Sequence, residues 1–156
     1  MTDISLVGVV VSGLSAAVVF SMFTAMARAM GMTTMSIEKT LGAMFAEGTT
    51  ANVIGTLMHL MSGIVFAFIY AIIFVALGTT ASNGWLIGGI IGLIHGLMTG
   101  AIVMPMMGSI HPAIKAGKIE APGFFGKNKG EATPAGMVVG HILFGVVLGF
   151  VYFLIV

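Results

Sequence analysis

The stretch GTTANVIGTLMHLMSGIVFAFIYAIIFVALGTTASNGWLIGGIIGLIHGLMTGAIVMPMMGSIHPAI runs from Gly48 to Ile114 without one Asp, Glu, Lys or Arg. A bilayer-spanning helix needs about 20 mainly apolar residues. At 67 residues the stretch is too long for one span and suits two. Its only turn chemistry is Gly78-Thr79-Thr80-Ala81-Ser82-Asn83-Gly84. The break predicts helices over 53–77 and 85–107, with Pro105 kinking or ending the latter.

Working outward, residues 4–27 are also uncharged, which predicts a first helix over 5–27. An apolar run over 135–156 gives the fourth. The whole chain of 156 residues is 58% apolar, carries 23 glycines and is only 7% charged. A soluble domain averages ~25% charged residues. The expected fold is therefore an all-α integral membrane protein, a single four-helix domain over 1–156. A net charge of +1 with no basic patch gives no footprint for nucleic acid. Zero cysteines exclude disulfides, thiolate metal sites and covalently attached haem. Met1-Thr2-Asp3 lacks the basic start of a signal peptide, so the first apolar segment is expected to stay in place.

All six basic residues fall in or beside the first and third connections: Arg28, Lys39, Lys115, Lys118, Lys127 and Lys129. Basic loops stay cytoplasmic. This predicts the plasma (inner) membrane, charged loops inside and both termini outside. In the first connection, Ile37, Leu41, Met44 and Phe45 have the spacing of a short amphipathic helix over 36–46, expected to lie in the interface. Residues 116–134 read as an irregular loop whose Phe124 and Phe125 could dip into the headgroups.

The chain also resembles itself. Shifted by 82, His59, Gly63, Val65, Phe68, Tyr70 and Ile73 fall on His141, Gly145, Val147, Phe150, Tyr152 and Ile155. Ile37-Glu38 falls on Ile119-Glu120, and Gly48 on Gly130. A shift of 83 pairs Gly13-Leu14 with Gly96-Leu97 and Ser12 with His95. This predicts two tandem helical hairpins, about 1–80 and 81–156, in a parallel pseudo-repeat.

Lipid gives no hydrophobic drive for helix association, so small residues must let backbones approach. Gly84, Gly88, Gly92, Gly96 and Gly100 recur every fourth residue. Gly13, Ala17, Ser21, Ala25 and Ala29 do the same, as do the pairs Gly63/Ala67 and Gly145/Gly149. These are the expected packing seams. Seams beyond those the bundle can use would favour a homo-oligomer or a larger complex.

Ionisable groups within a span are functional candidates. His59, His95 and His141 qualify, and three readings compete. Each could hydrogen-bond across helices and only position them. Paired histidines could bind haem b or a transition metal, imidazole suiting both. They could also relay protons or line a polar path. Glu38 and Glu120, related by the repeat, could complete a two-Glu, two-His metal site with His59 and His141, although solvated interfacial glutamates are the simpler expectation. The 14 methionines are read as flexible apolar filler rather than soft-metal ligands. No autonomous catalytic constellation stands out.

The runs His95-Gly96-Leu97-Met98-x-Gly100, Met104-Pro105-Met106-Met107-Gly108-x-x-His111-Pro112 and Gly140-His141-x-x-Phe144-Gly145-x-x-Leu148-Gly149-x-x-Tyr152 resemble a group of small uncharacterised bacterial and archaeal four-helix membrane proteins. His59-x-x-x-Gly63-x-x-Phe66-Ala67-x-x-Tyr70 is similar to theirs too. The resemblance implies a four-helix membrane fold and brings no activity or catalytic residue. A chain with almost nothing outside the membrane is expected to serve as a subunit or accessory of a larger membrane complex, for which a respiratory or electron-transfer complex is one setting. Its partners would be lipid and other subunits or its own copies. The alternatives are a haem- or metal-binding protein using the histidines, and a small oligomeric transporter or channel.

Overall fold

A computed structural model describes residues 3–156; the N-terminal reading that involves Met1 and Thr2 lies partly outside it. The described residues form helices and no strand. Four spans are each long and apolar enough to cross a membrane: Leu6–Ala29, Gly48–Ala76, Gly84–Ile110 and Thr133–Ile155. They are α1 (Leu6–Ala29), α3 (Gly48–Ala76), α4 (Gly84–Met98) continued through a π-helical turn into α5 (Met104–Ile110), and α7 (Thr133–Ile155). Short helices α2 (Ile37–Gly42) and α6 (Pro112–Lys115) lie in the connections.

Local chemistry sets several boundaries. The Ser5 hydroxyl accepts from the Gly8 N–H and opens α1; Ser36 accepts from Lys39 N–H and opens α2. Pro105 neither ends nor breaks the third span. The π turn Thr99–Val103 widens the helix just before it, where the proline ring would meet the carbonyl one turn back. The span ends at His111-Pro112 instead.

Two tight helix pairs build the bundle. In the first, α1 meets α3 where Gly13 and Gly63 lie backbone to backbone; a methyl on either would strike the other residue's carbonyl oxygen. In the second, α4 meets α7 along Gly88, Gly92, Gly145 and Gly149, with the same consequence for a methyl at each. Gly96 also packs on α7, against His141 and Val138. Gly100, expected in the same seam, instead receives the ring of Phe125. Phe125 has a φ of +52° and Gly126 one of +70°, and this left-handed pair turns the 116–134 connection inward. Phe124 stays exposed, so only one of the two phenylalanines faces outward.

A broad α1–α7 contact joins the pairs, and Tyr70, Phe74, Phe144, Leu148 and Tyr152 fill the centre. Helices α3 and α4 barely touch although only a short turn links them. Each has been drawn to a different partner by its glycines, and a cleft opens on that side.

The α2 helix is shorter than expected and packs on α3. A methyl at Gly42 would meet the Ala51 carbonyl, and one at Gly55 the Glu38 carbonyl. The first and third connections meet at one end of the bundle. Thr34 N–H donates to the Lys129 carbonyl at 2.7 Å, and the Thr33 and Thr133 hydroxyls are 2.7 Å apart. Lys118 pairs with Glu47. Fully buried His111 donates from Nε2 to the Thr40 carbonyl at 2.8 Å, while its Nδ1 accepts from Ile114 N–H and caps α6. All six basic residues thus cluster at one end.

Candidate functional site

The cleft between α3 and α4 deepens into a cavity of about 460 Å³. Its lining is almost wholly apolar, and His59, His95 and His141 all reach it. Around them stand the rings of Phe20, Phe66 and Phe144. Nine of the protein's 14 methionines line the same cavity, from exposed Met26 and Met30 at the end of α1 to the buried cluster of Met104, Met107 and Met137.

Each histidine engages the protein through one ring nitrogen. His59 Nε2 lies 3.3 Å from the Ala17 carbonyl and donates to it. His141 Nδ1 donates to the Met137 carbonyl, one turn back on α7, at 2.7 Å. His95 Nδ1 lies 3.3 Å from the Tyr70 hydroxyl. Among the described residues, the remaining nitrogens, His59 Nδ1, His95 Nε2 and His141 Nε2, make no hydrogen bond. Tyr70 is 1% exposed, and its hydroxyl has no other partner among the described residues. Its proton is satisfied only when it donates to His95 Nδ1. That choice puts the His95 proton on Nε2, whereas the His141 proton sits on Nδ1.

The histidines are brought together, with Phe20 between one pair and little space between another. Phe20 stands against both His59 and His141, its ring centroid 5.6 Å from one and 5.1 Å from the other. A porphyrin between that pair would have to displace it. His95 and His141 are closer, with centroids 4.6 Å apart. Metal–imidazole bonds of ~2 Å put two rings on opposite sides of one iron with centroids more than about 6 Å apart. The pair is too close for that arrangement.

The two-Glu, two-His set is not assembled either. Glu120 lies in the third connection, exposed, and pairs with Lys129 at 2.9 Å. Among the described residues, no group of three or more His, Asp or Glu side chains is placed to hold a metal. The reason is topological: after residue 119 the third connection runs as coil into a 3-10 turn rather than repeating α2. Glu38 differs from Glu120. It accepts from the Ser21 hydroxyl at 2.9 Å and the Ser36 hydroxyl at 3.2 Å, with the Arg28 guanidinium 3.9 Å away. Burial works against its charge, but the backbone N–H, the Ser21 hydroxyl and Arg28 together hold its carboxyl below the usual range.

Sequence reasoning found the three histidines but missed Tyr70 as the partner of His95 and Phe20 as the wedge beside His59. Tyr70 falls on the stripe of His59, Gly63 and Ala67, and that was the available signal. Nothing in the sequence marked Phe20. No protein-family model, curated protein or solved structure matches this chain.

Proposed function

We propose that the protein is a membrane-embedded binding protein that takes a small, mainly apolar molecule from the lipid phase into the cavity between α3 and α4. One observation carries the reading. Three intramembrane histidines, each with one nitrogen engaged and one free, face a single apolar cavity. Binding pockets are typically ~300–1,000 Å³, apolar and aromatic, with a few convergent polar groups. The 460 Å³ cavity has that character. Methionine is unbranched and adaptable, and suits a mouth that must admit a flexible molecule.

In this reading the bundle sits in the plasma membrane, basic connections in the cytoplasm and termini outside, as the charge bias favours. It consists of two tandem parallel hairpins. A shift of 82 carries α3 onto α7, and 75, rather than 83, carries α1 onto α4. These shifts take the Gly13–Gly63 contact onto Gly88–Gly145, and the Phe20–His59 ring pair onto His95–His141. The counterpart of His95 is then Phe20, not Ser12.

A place as a subunit of a larger assembly is the second reading. It rests on how little of the chain lies outside the membrane; small-residue seams left over from the bundle would favour it, but Gly13, Gly63, Gly88, Gly92, Gly145 and Gly149 all pack within the chain. The binding reading is therefore preferred.

The test is organic extraction of protein purified in nanodiscs, followed by mass spectrometry. One species near stoichiometric amount is expected from the native chain. Little is expected from Ser62→Phe, which fills the cavity, provided that variant melts cooperatively. Equal recovery from both would contradict the proposal.

A further inference from the structure

We infer that the cavity's occupant is a lipid-soluble phenol, its hydroxyl bridging His95 and His141; this rests on the binding reading above. His141 gives its Nδ1 proton to the Met137 carbonyl, so its Nε2 presents a lone pair. Tyr70 donates to His95 Nδ1, so His95 presents an Nε2–H. One donor and one acceptor thus sit on rings 4.6 Å apart without bonding each other. A hydroxyl satisfies both at once, donating to one ring and accepting from the other. A ketone or ether would accept from His95 and leave His141 unpaired. An ammonium would serve His141 and leave the His95 N–H facing a cation.

The surrounding surface selects the rest of the molecule. Phe66 lies 4.1 Å from His95 by ring centroid, and Phe144 and Phe20 close two further sides. Flat rings pack favourably edge or face against such a box. Beyond it the methionine lining continues to exposed Met26 and Met30 at the end of α1, a course suited to an aliphatic tail. The phenol would enter tail-last through the cleft between α3 and α4.

The test measures equilibrium binding to the full chain in nanodiscs by native mass spectrometry. The probes are para-nonylphenol, its methyl ether, nonylbenzene and a saturated alcohol of the same length. The phenol is expected to bind about tenfold tighter than the ether or nonylbenzene, because those leave His141 unpaired. His141→Phe should abolish that preference, and His141→Gln, which keeps an acceptor, should retain it. Ether binding equal to phenol binding, or a preference that survives His141→Phe in folded protein, would overturn the hydroxyl bridge. An alcohol that binds as tightly as the phenol would overturn the ring. If no probe binds and Ser62→Phe leaves the organic extract unchanged, the binding reading itself fails.

Discussion

The imidazoles of His95 and His141 meet edge to face, ring centroids 4.6 Å apart and planes inclined by 72°. They come from different helices, and the Gly92 and Gly96 contacts with α7 bring them together. What holds His95 in this pose is the hydroxyl of Tyr70 on α3, across the cleft.

The Tyr70–His95 bond is the main polar tie between α3 and α4, so the two side chains should be energetically coupled. In thermal melts, a double-mutant cycle of Tyr70→Phe and His95→Phe is expected to give a coupling of about 0.5–1.5 kcal/mol, typical of hydrogen bonds between membrane helices. His95→Phe alone should cost more than Tyr70→Phe alone, because it strands a buried hydroxyl. Strict additivity would remove the bond from the account.

The glycine seams make a graded prediction. Alanine at Gly88 or Gly145 meets backbone, which cannot swing aside, and should destabilise by about 1–3 kcal/mol or more. Gly136, also on α7, has nothing within 4 Å of an added methyl. Its alanine variant should be neutral or gain up to ~1 kcal/mol from helix propensity. Similar losses at all three sites would show that α4 and α7 are not packed as described.

Much of this fold was legible in the sequence. Runs without charge located the spans, since charge in a bilayer core is costly. The spacing of Gly88, Gly92, Gly145 and Gly149 located a seam, since only small residues let helices touch without hydrophobic drive. The lateral order of the helices was not legible. When all sides of a helix are apolar, no face announces its partner, so the gap between α3 and α4 and the wedge of Phe20 emerge only in three dimensions. Gly100 shows the same limit: its spacing announced a helix partner, but its neighbour is a loop phenylalanine 25 residues on.

That loop contact can be checked separately. Gly100→Ala should displace the Phe125 ring and cost about 1–3 kcal/mol. In a Phe125→Ala background the same change should cost little, since the obstructing ring is gone. Equal costs in both backgrounds, measured by chemical or thermal denaturation, would place Phe125 elsewhere.

Glu38 lies in α2, outside the four spans, and its carboxyl is held below the usual range despite burial. A group whose folded pKa is depressed contributes stability above its unfolded pKa and loses it as pH falls through the folded value. Glu38→Gln should therefore lower Tm at neutral pH, with hydrogen bonds to the charged group contributing about 1.5 kcal/mol or more. The gap to the native chain should narrow as the pH drops below the ordinary Glu value of 4.5. A gap that is constant with pH would mean that the charge on Glu38 plays no part.

Photolabelling in native-like membranes tests the cavity most directly. A nonylphenol carrying a diazirine on its tail is bound, irradiated and mapped by peptide mass spectrometry. Adducts are expected on residues lining the cavity, such as Met26, Met30 and Met58, and should disappear with excess para-nonylphenol or with Ser62→Phe. Adducts spread over outward-facing residues such as Leu57 and Val65, indifferent to competitor and to Ser62→Phe, would contradict a binding site between α3 and α4.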